Sequence, residues 1–192
     1  GLLFTVTWML LGIHADAQVI VEHTSFESEI TGGLYFDTLD ATTDHLLVNN
    51  PGQATVTSTQ ASIEAGELGF RATYLNTRDG SGLTDGDFVG VTPTNNTLSF
   101  PDGAQGYQFS DCDGVLLLSF DPVNLSTMTM PHASLYYFLN TTSYELDDLV
   151  RIWIETDMDG DIDLLNTTDL NIDDLDIEGK WTRLFADLSG NT

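Results

Sequence analysis

The chain has 192 residues, with 30 acidic against 5 basic side chains and a formal net charge of −25. A surface this acidic repels phosphate backbones and anionic bilayers, so it argues against direct nucleic-acid binding and against membrane binding by this chain, while attracting cations. The single cysteine, Cys112, excludes an internal disulfide, and an exported domain without one relies on its core or on metal ions.

Taken from the start, residues 2–13 (LLFTVTWMLLGI) form an apolar run, followed by the small-x-small site Ala15-Asp16-Ala17. That pattern predicts a signal peptide over residues 1–17, lacking its basic start, and a secreted domain over 18–192. The run is shorter than the roughly 20 apolar residues of a membrane-spanning helix; the alternative is a buried N-terminal element. Beyond it no helical periodicity is evident. Short apolar or alternating runs predict strands at 19–26, 33–37, 46–48, 54–59, 68–74, 88–91, 106–109, 114–120, 132–138, 149–156, 162–166 and 182–188. Gly, Asn, Asp and Pro clusters punctuate them, including Asn50-Pro51-Gly52, Pro101-Asp102-Gly103 and Asp159-Gly160. The expectation is an all-β sandwich or jelly roll. In 149–156, Val150, Ile152 and Ile154 share one face, and Arg151, Trp153 and Glu155 the other. The run 114–120 is almost continuously apolar, which predicts a central strand or one buried on both faces. Acid density rises at the end: residues 145–192 hold fourteen acids and three basic residues.

Six segments carry a resemblance by their order: TSFES (24–28), TDHLLVNNPGQ (43–53), NTRDGSGLTDGDFVGVT (76–92), GYQFSDCDG (106–114), DDLVRIWIETDMDGDIDLLNTT (147–168) and DDLDIEGKWTRLFADLSG (173–190). Together they resemble a jelly-roll domain of secreted bacterial multidomain proteins, some of which carry nuclease-type or lamin-tail-like domains elsewhere. The plan is also similar to that of carbohydrate-binding modules, which open on a Phe-Glu strand and carry a late G-x-W strand leading to DLSG. The resemblance implies that Glu27 binds a structural calcium ion with an Asp from a final strand. That strand has no counterpart before Thr192, so the expectation is a jelly roll lacking its final strand, with further domains of the same chain beyond. Asp37, Asp40, Asp44 or Asp187 are the other candidates to complete the shell, and an ordinary surface glutamate is the alternative for Glu27.

The strongest local signal is DMDGDID at 157–163. Asp157, Asp159, Asp161 and Asp163 on a tight turn could supply the oxygens that calcium takes, six to eight in number. The segment departs from an EF-hand: Gly160 is at the fourth position rather than the sixth, and Thr168 stands where the bidentate Glu belongs. A hairpin turn at Asp159-Gly160 with a rim of solvated acids explains the same residues. Glycan binding needs exposed aromatics beside polar groups, and Trp153 with Arg151 and Glu155 is the candidate set; a core tryptophan is the alternative. Trp181 reads as a packing residue, while Tyr35, Tyr74, Tyr136 and Tyr137 form no decisive pattern. Cys112, flanked by Asp111 and Asp113, is a poor nucleophile because neighbouring carboxylates raise a thiol's pKa.

No catalytic signature emerges. With this many acids, some pair always meets the spacing of a glycosidase, and the histidines lack zinc spacing. Neither G-x-S-x-G nor a P-loop occurs. The expected function is a non-catalytic extracellular accessory or adhesion module, calcium-stabilised and glycan-binding, whose partner is a polysaccharide or cell-surface glycan. The alternatives are a jelly-roll polysaccharide hydrolase or lyase, the N-terminal domain of a secreted nuclease, and a structural spacer of a surface protein.

Overall fold

The structure is a computed structural model in which residues 20–27, 55–59, 67–76, 88–92, 98–110, 114–157 and 160–190 are described. The predicted signal peptide, the strands expected at 33–37 and 46–48, and Asp37, Asp40, Asp44, Cys112 and Asp159 lie outside them. The fold is nearly all β. Among the described residues nine strands follow in order: β1 Thr55–Thr59, β2 Phe70–Asn76, β3 Phe88–Val91, β4 Tyr107–Ser110, β5 Gly114–Phe120, β6 His132–Phe138, β7 Arg151–Thr156, β8 Gly160–Asn166 and β9 Trp181–Asp187. One 3-10 turn, Ile172–Asp174, precedes β9. All ladders are antiparallel and form a three-stranded sheet β1-β2-β5 and the pairs β3-β4, β6-β9 and β7-β8.

Alternation of side chains sorts each strand into an inner and an outer face. In the first sheet Phe70 and Ala72 are buried, and Phe70 lies in register with Phe120. Phe26 and Tyr107 complete an aromatic cluster, with ring centroids 5.3 Å from Phe70 in each case and steeply inclined planes. Such edge-to-face contacts add about 0.5–1.5 kcal/mol each to the area they bury. A second cluster centres on Trp181, 5.7 Å from Phe100 and 5.4 Å from Phe138, with its indole N–H donating to the Ser99 carbonyl at 2.8 Å. The two buried threonine hydroxyls are matched. The Thr167 hydroxyl oxygen accepts the Val150 N–H at 2.9 Å, and that of Thr92 accepts the Gly106 N–H at 3.0 Å.

Two expectations need correction. Among the described residues 20–27 there is no strand; His23 forms one parallel bridge to Glu67. Phe26 has φ +62°, a left-handed conformation that ends any extended run there, and Ile20 and Val21 are exposed. The second concerns β5, which lies at the edge of its sheet among the described strands and alternates in burial. Leu116, Leu118 and Phe120 point inward while Val115 and Leu117 are exposed. An unbroken apolar run does not distinguish a central strand from an edge strand with apolar residues on both faces.

Candidate functional site

The predicted glycan and calcium residues on β7 and β8 come together on one outward face. A bulge between Ile152 and Trp153 shifts the register, so that Trp153 faces Asp163 and Glu155 faces Asp161. Leu164 is the residue passed over, and the shift keeps Ile152, Ile154, Ile162 and Leu165 on the inner face. Arg151 reaches along the outer face with its Nε 2.7 Å from Asp163 Oδ1 and an Nη 2.9 Å from Asp161 Oδ2. The same guanidinium lies over the Trp153 ring, 4.7 Å from its centroid. Asn166 donates to the other oxygen of Asp163 at 3.0 Å. These contacts hold the Asp163 carboxyl below its ordinary pKa, through the Asn166 hydrogen bond first and Arg151 second, and raise the Arg151 pKa, chiefly through Asp163. Asp157 and Glu155 are exposed on the same hairpin.

Glu27 is bound to a different part of the fold. Its Oε1 accepts the backbone N–H groups of Ala104 and Gln105 at 2.6 and 2.9 Å, fastening the N-terminal segment to the 101–105 loop. Gly103, at φ +65°, makes room: a Cβ there would collide with the Glu27 carboxylate. Nearby, His23 Nε2 stands 2.6 Å from Asp102 Oδ2. As arranged, oxygens at both places already have partners. The Asp161–Asp163 pair is filled by a guanidinium, and one Glu27 oxygen is committed to two amides. Among the described residues no group of three or more His, Cys, Asp or Glu side chains is set to hold a metal ion. Asp187, the further shell candidate, instead accepts the Ser189 N–H and hydroxyl, which lower its pKa.

A second surface escaped the sequence reading. The outer faces of β6 and β9 form an exposed strip in which Tyr136 faces Arg183, Ser134 faces Phe185 and His132 faces Asp187. Phe185 is 57% and Tyr136 46% exposed. The Arg183 guanidinium lies 5.9 Å from the Tyr136 ring centroid and 6.0 Å from that of Phe185, and donates to Ser134 Oγ at 3.2 Å. His132 stacks at a shallow tilt of 31° on Phe185, 5.1 Å away. The signal in the sequence was alternation: HASLYYF places His132, Ser134 and Tyr136 on one parity, and WTRLFAD does the same for Arg183 and Phe185. Inward-facing Ala133, Leu135, Leu184 and Ala186 fix which parity is outside.

No family model, curated protein or solved structure matches the chain. Recesses among the described residues include the following. One of about 310 Å³ lies between the 146–149 and 167–169 segments. Another, of about 180 Å³, is lined in part by Glu22, Glu67 and Asp121. No helix among the described residues is long and apolar enough to cross a membrane.

Proposed function

We propose that this chain is a non-catalytic, extracellular carbohydrate-binding module of jelly-roll type that serves as an accessory or adhesion domain. The observation that carries the reading is the exposed strip Tyr136–Arg183–Phe185–His132 on β6 and β9. Aromatic faces carry negative charge density and attract the electropositive C–H face of a pyranose, and nearby donors fix its hydroxyls. From His132 to Tyr136 is four residues of strand, about 13 Å, a span suited to a chain rather than to a single sugar. Rigid aromatics with few rotatable bonds lose little entropy on contact.

The β7–β8 face supports the same reading less directly, because Arg151 covers one side of Trp153. Calcium stabilisation belongs to the proposal as an ion drawn from the medium by the acidic surface. At the hairpin it requires Arg151 to give up Asp161 and Asp163, so ion and guanidinium compete for the same oxygens.

Binding of the purified chain to immobilised polysaccharides tests the reading. Tyr136→Ala and Phe185→Ala should each weaken binding by about tenfold or more, as loss of a central aromatic contact does, without loss of the folded signal in circular dichroism. Absence of binding to every polysaccharide class refutes it.

A further inference from the structure

The chain sets only 5 basic residues against 30 acids. Arg151 is neutralised by Asp161 and Asp163, and Lys180 lies 3.2 Å from Asp176. Arg183 differs, as does Arg71: among the described residues no carboxylate lies within ion-pair distance of either, and Arg183 lies over aromatic rings. Its neighbours are two exposed rings and a hydroxyl. Asp187, outward on the same strand, is four residues or about 13 Å further along the backbone and is engaged by Ser189. A guanidinium with no carboxylate partner among the described residues, framed by exposed aromatics, has donors to offer an anionic group carried by a ligand that lies on those rings. A guanidinium also presents its donors in a plane that matches a carboxylate in a two-pronged contact.

We propose that the β6–β9 strip selects a polysaccharide bearing a carboxylate on the sugar ring, a polyuronate. Its pyranose faces lie on Tyr136 and Phe185, and a ring carboxylate takes the Arg183 N–H donors not given to Ser134. The inference rests on the carbohydrate-binding reading and narrows it to one class of sugar. It carries an unusual electrostatic signature. Protein and ligand are both polyanions, so their long-range repulsion opposes approach, whereas the Arg183 contact acts at hydrogen-bond range. Screening lengths fall from about 30 Å at 0.01 M salt to about 3 Å at 1 M. Raising salt therefore removes the repulsion before it weakens the contact, and affinity rises with salt over that range. Cationic proteins on polyanions behave in the opposite way, because they release counterions on binding.

The test compares polygalacturonate with its fully methyl-esterified form, which keeps the rings and removes the charge, and with dextran sulfate, all in excess EDTA to prevent calcium bridging. Wild type should prefer polygalacturonate, with affinity rising between about 0.01 and 0.5 M NaCl as screening proceeds. Arg183→Gln should bind it about tenfold more weakly, the loss expected for a charge-assisted hydrogen bond, and lose less on the ester, so that the preference for polygalacturonate falls. Arg183→Lys should recover part of the preference and Tyr136→Ala should weaken both polymers. Equal or better binding of the ester overturns the carboxylate assignment while leaving carbohydrate binding intact. So does a preference for dextran sulfate, or binding that survives in Arg183→Gln. No binding to any polymer, charged or neutral, removes both readings. The Arg183 side chain is exposed on its strand, so these variants should melt within a few degrees of wild type.

Discussion

Phe26 combines two opposed effects at one residue. Its ring is half-buried and reaches Phe70 at 5.3 Å, Tyr107 at 6.1 Å and Phe120 at 6.3 Å. Its backbone sits at φ +62°, where a β-carbon crowds the following carbonyl at a cost of about 1–2 kcal/mol. Phe26→Ala removes the ring and keeps the crowding. A fully buried phenylalanine costs about 3–5 kcal/mol on truncation, so a half-buried one should cost about 2–3 kcal/mol. Phe26→Gly removes the same ring and the crowding too. Against that relief stands roughly 0.4–1 kcal/mol for the freer unfolded chain. The glycine variant should therefore be the more stable of the two by about 1 kcal/mol, or about 2–4 °C in a chain of this size. In an extended or helical segment the order is reversed. Urea unfolding followed by circular dichroism, with equal m-values, measures the difference. A glycine variant equal to or less stable than the alanine variant refutes the left-handed placement of Phe26.

Gly103→Ala should destabilise by about 1–3 kcal/mol, because the residue has φ +65° and its new methyl meets the Glu27 carboxylate; thermal melting measures it, and a neutral effect would mean the 101–105 loop is held otherwise. Arg151→Gln frees Asp161 and Asp163, so EDTA-reversible stabilisation by calcium should be larger in that variant than in wild type, as read by the melting temperature; equal responses would place any calcium site elsewhere. The Asp163 carboxyl is held below its usual range, so the stability it brings is present above that range and is lost as pH falls through its lowered folded value. Asn166→Ala should move its titration upward in a carboxyl NMR experiment, and an unmoved titration would show that the Asn166 hydrogen bond is not what lowers it.

Three strands, 88–91, 114–120 and 132–138, were legible with their ends, because a turn residue and a change in alternation coincide at each boundary. The β7–β8 hairpin was legible from the Asp-Gly dipeptide in the sequence, although Gly160, at φ +78°, is the first residue of β8 and pairs with Thr156. Its first strand begins two residues later than expected: the Val150 amide is taken by the Thr167 hydroxyl rather than by a ladder partner. The outward set Arg151, Trp153 and Glu155 followed from parity alone. That Arg151 would close over Asp161 and Asp163 did not, since the bulge at Leu164 has no marker such as glycine. The β6–β9 strip was hidden for a different reason. Its halves are some fifty residues apart in the chain, and which strand pairs with which is decided by packing, not by local pattern. Phe26 misled because apolar alternation outweighed the absence of a sustained partner.

Five of the acids have an occupation besides charge. Glu27 holds the amides of Ala104 and Gln105, Glu178 that of Thr142, Asp173 that of Tyr144, Asp148 that of Glu145 and Asp187 that of Ser189. Each contact asks only for an oxygen acceptor, which an asparagine or glutamine side chain also provides. Substitution between acid and amide at these positions would change the charge of the molecule while leaving its loops tied. Single-base steps between aspartate and asparagine would therefore lower the charge with the scaffold carried through intact.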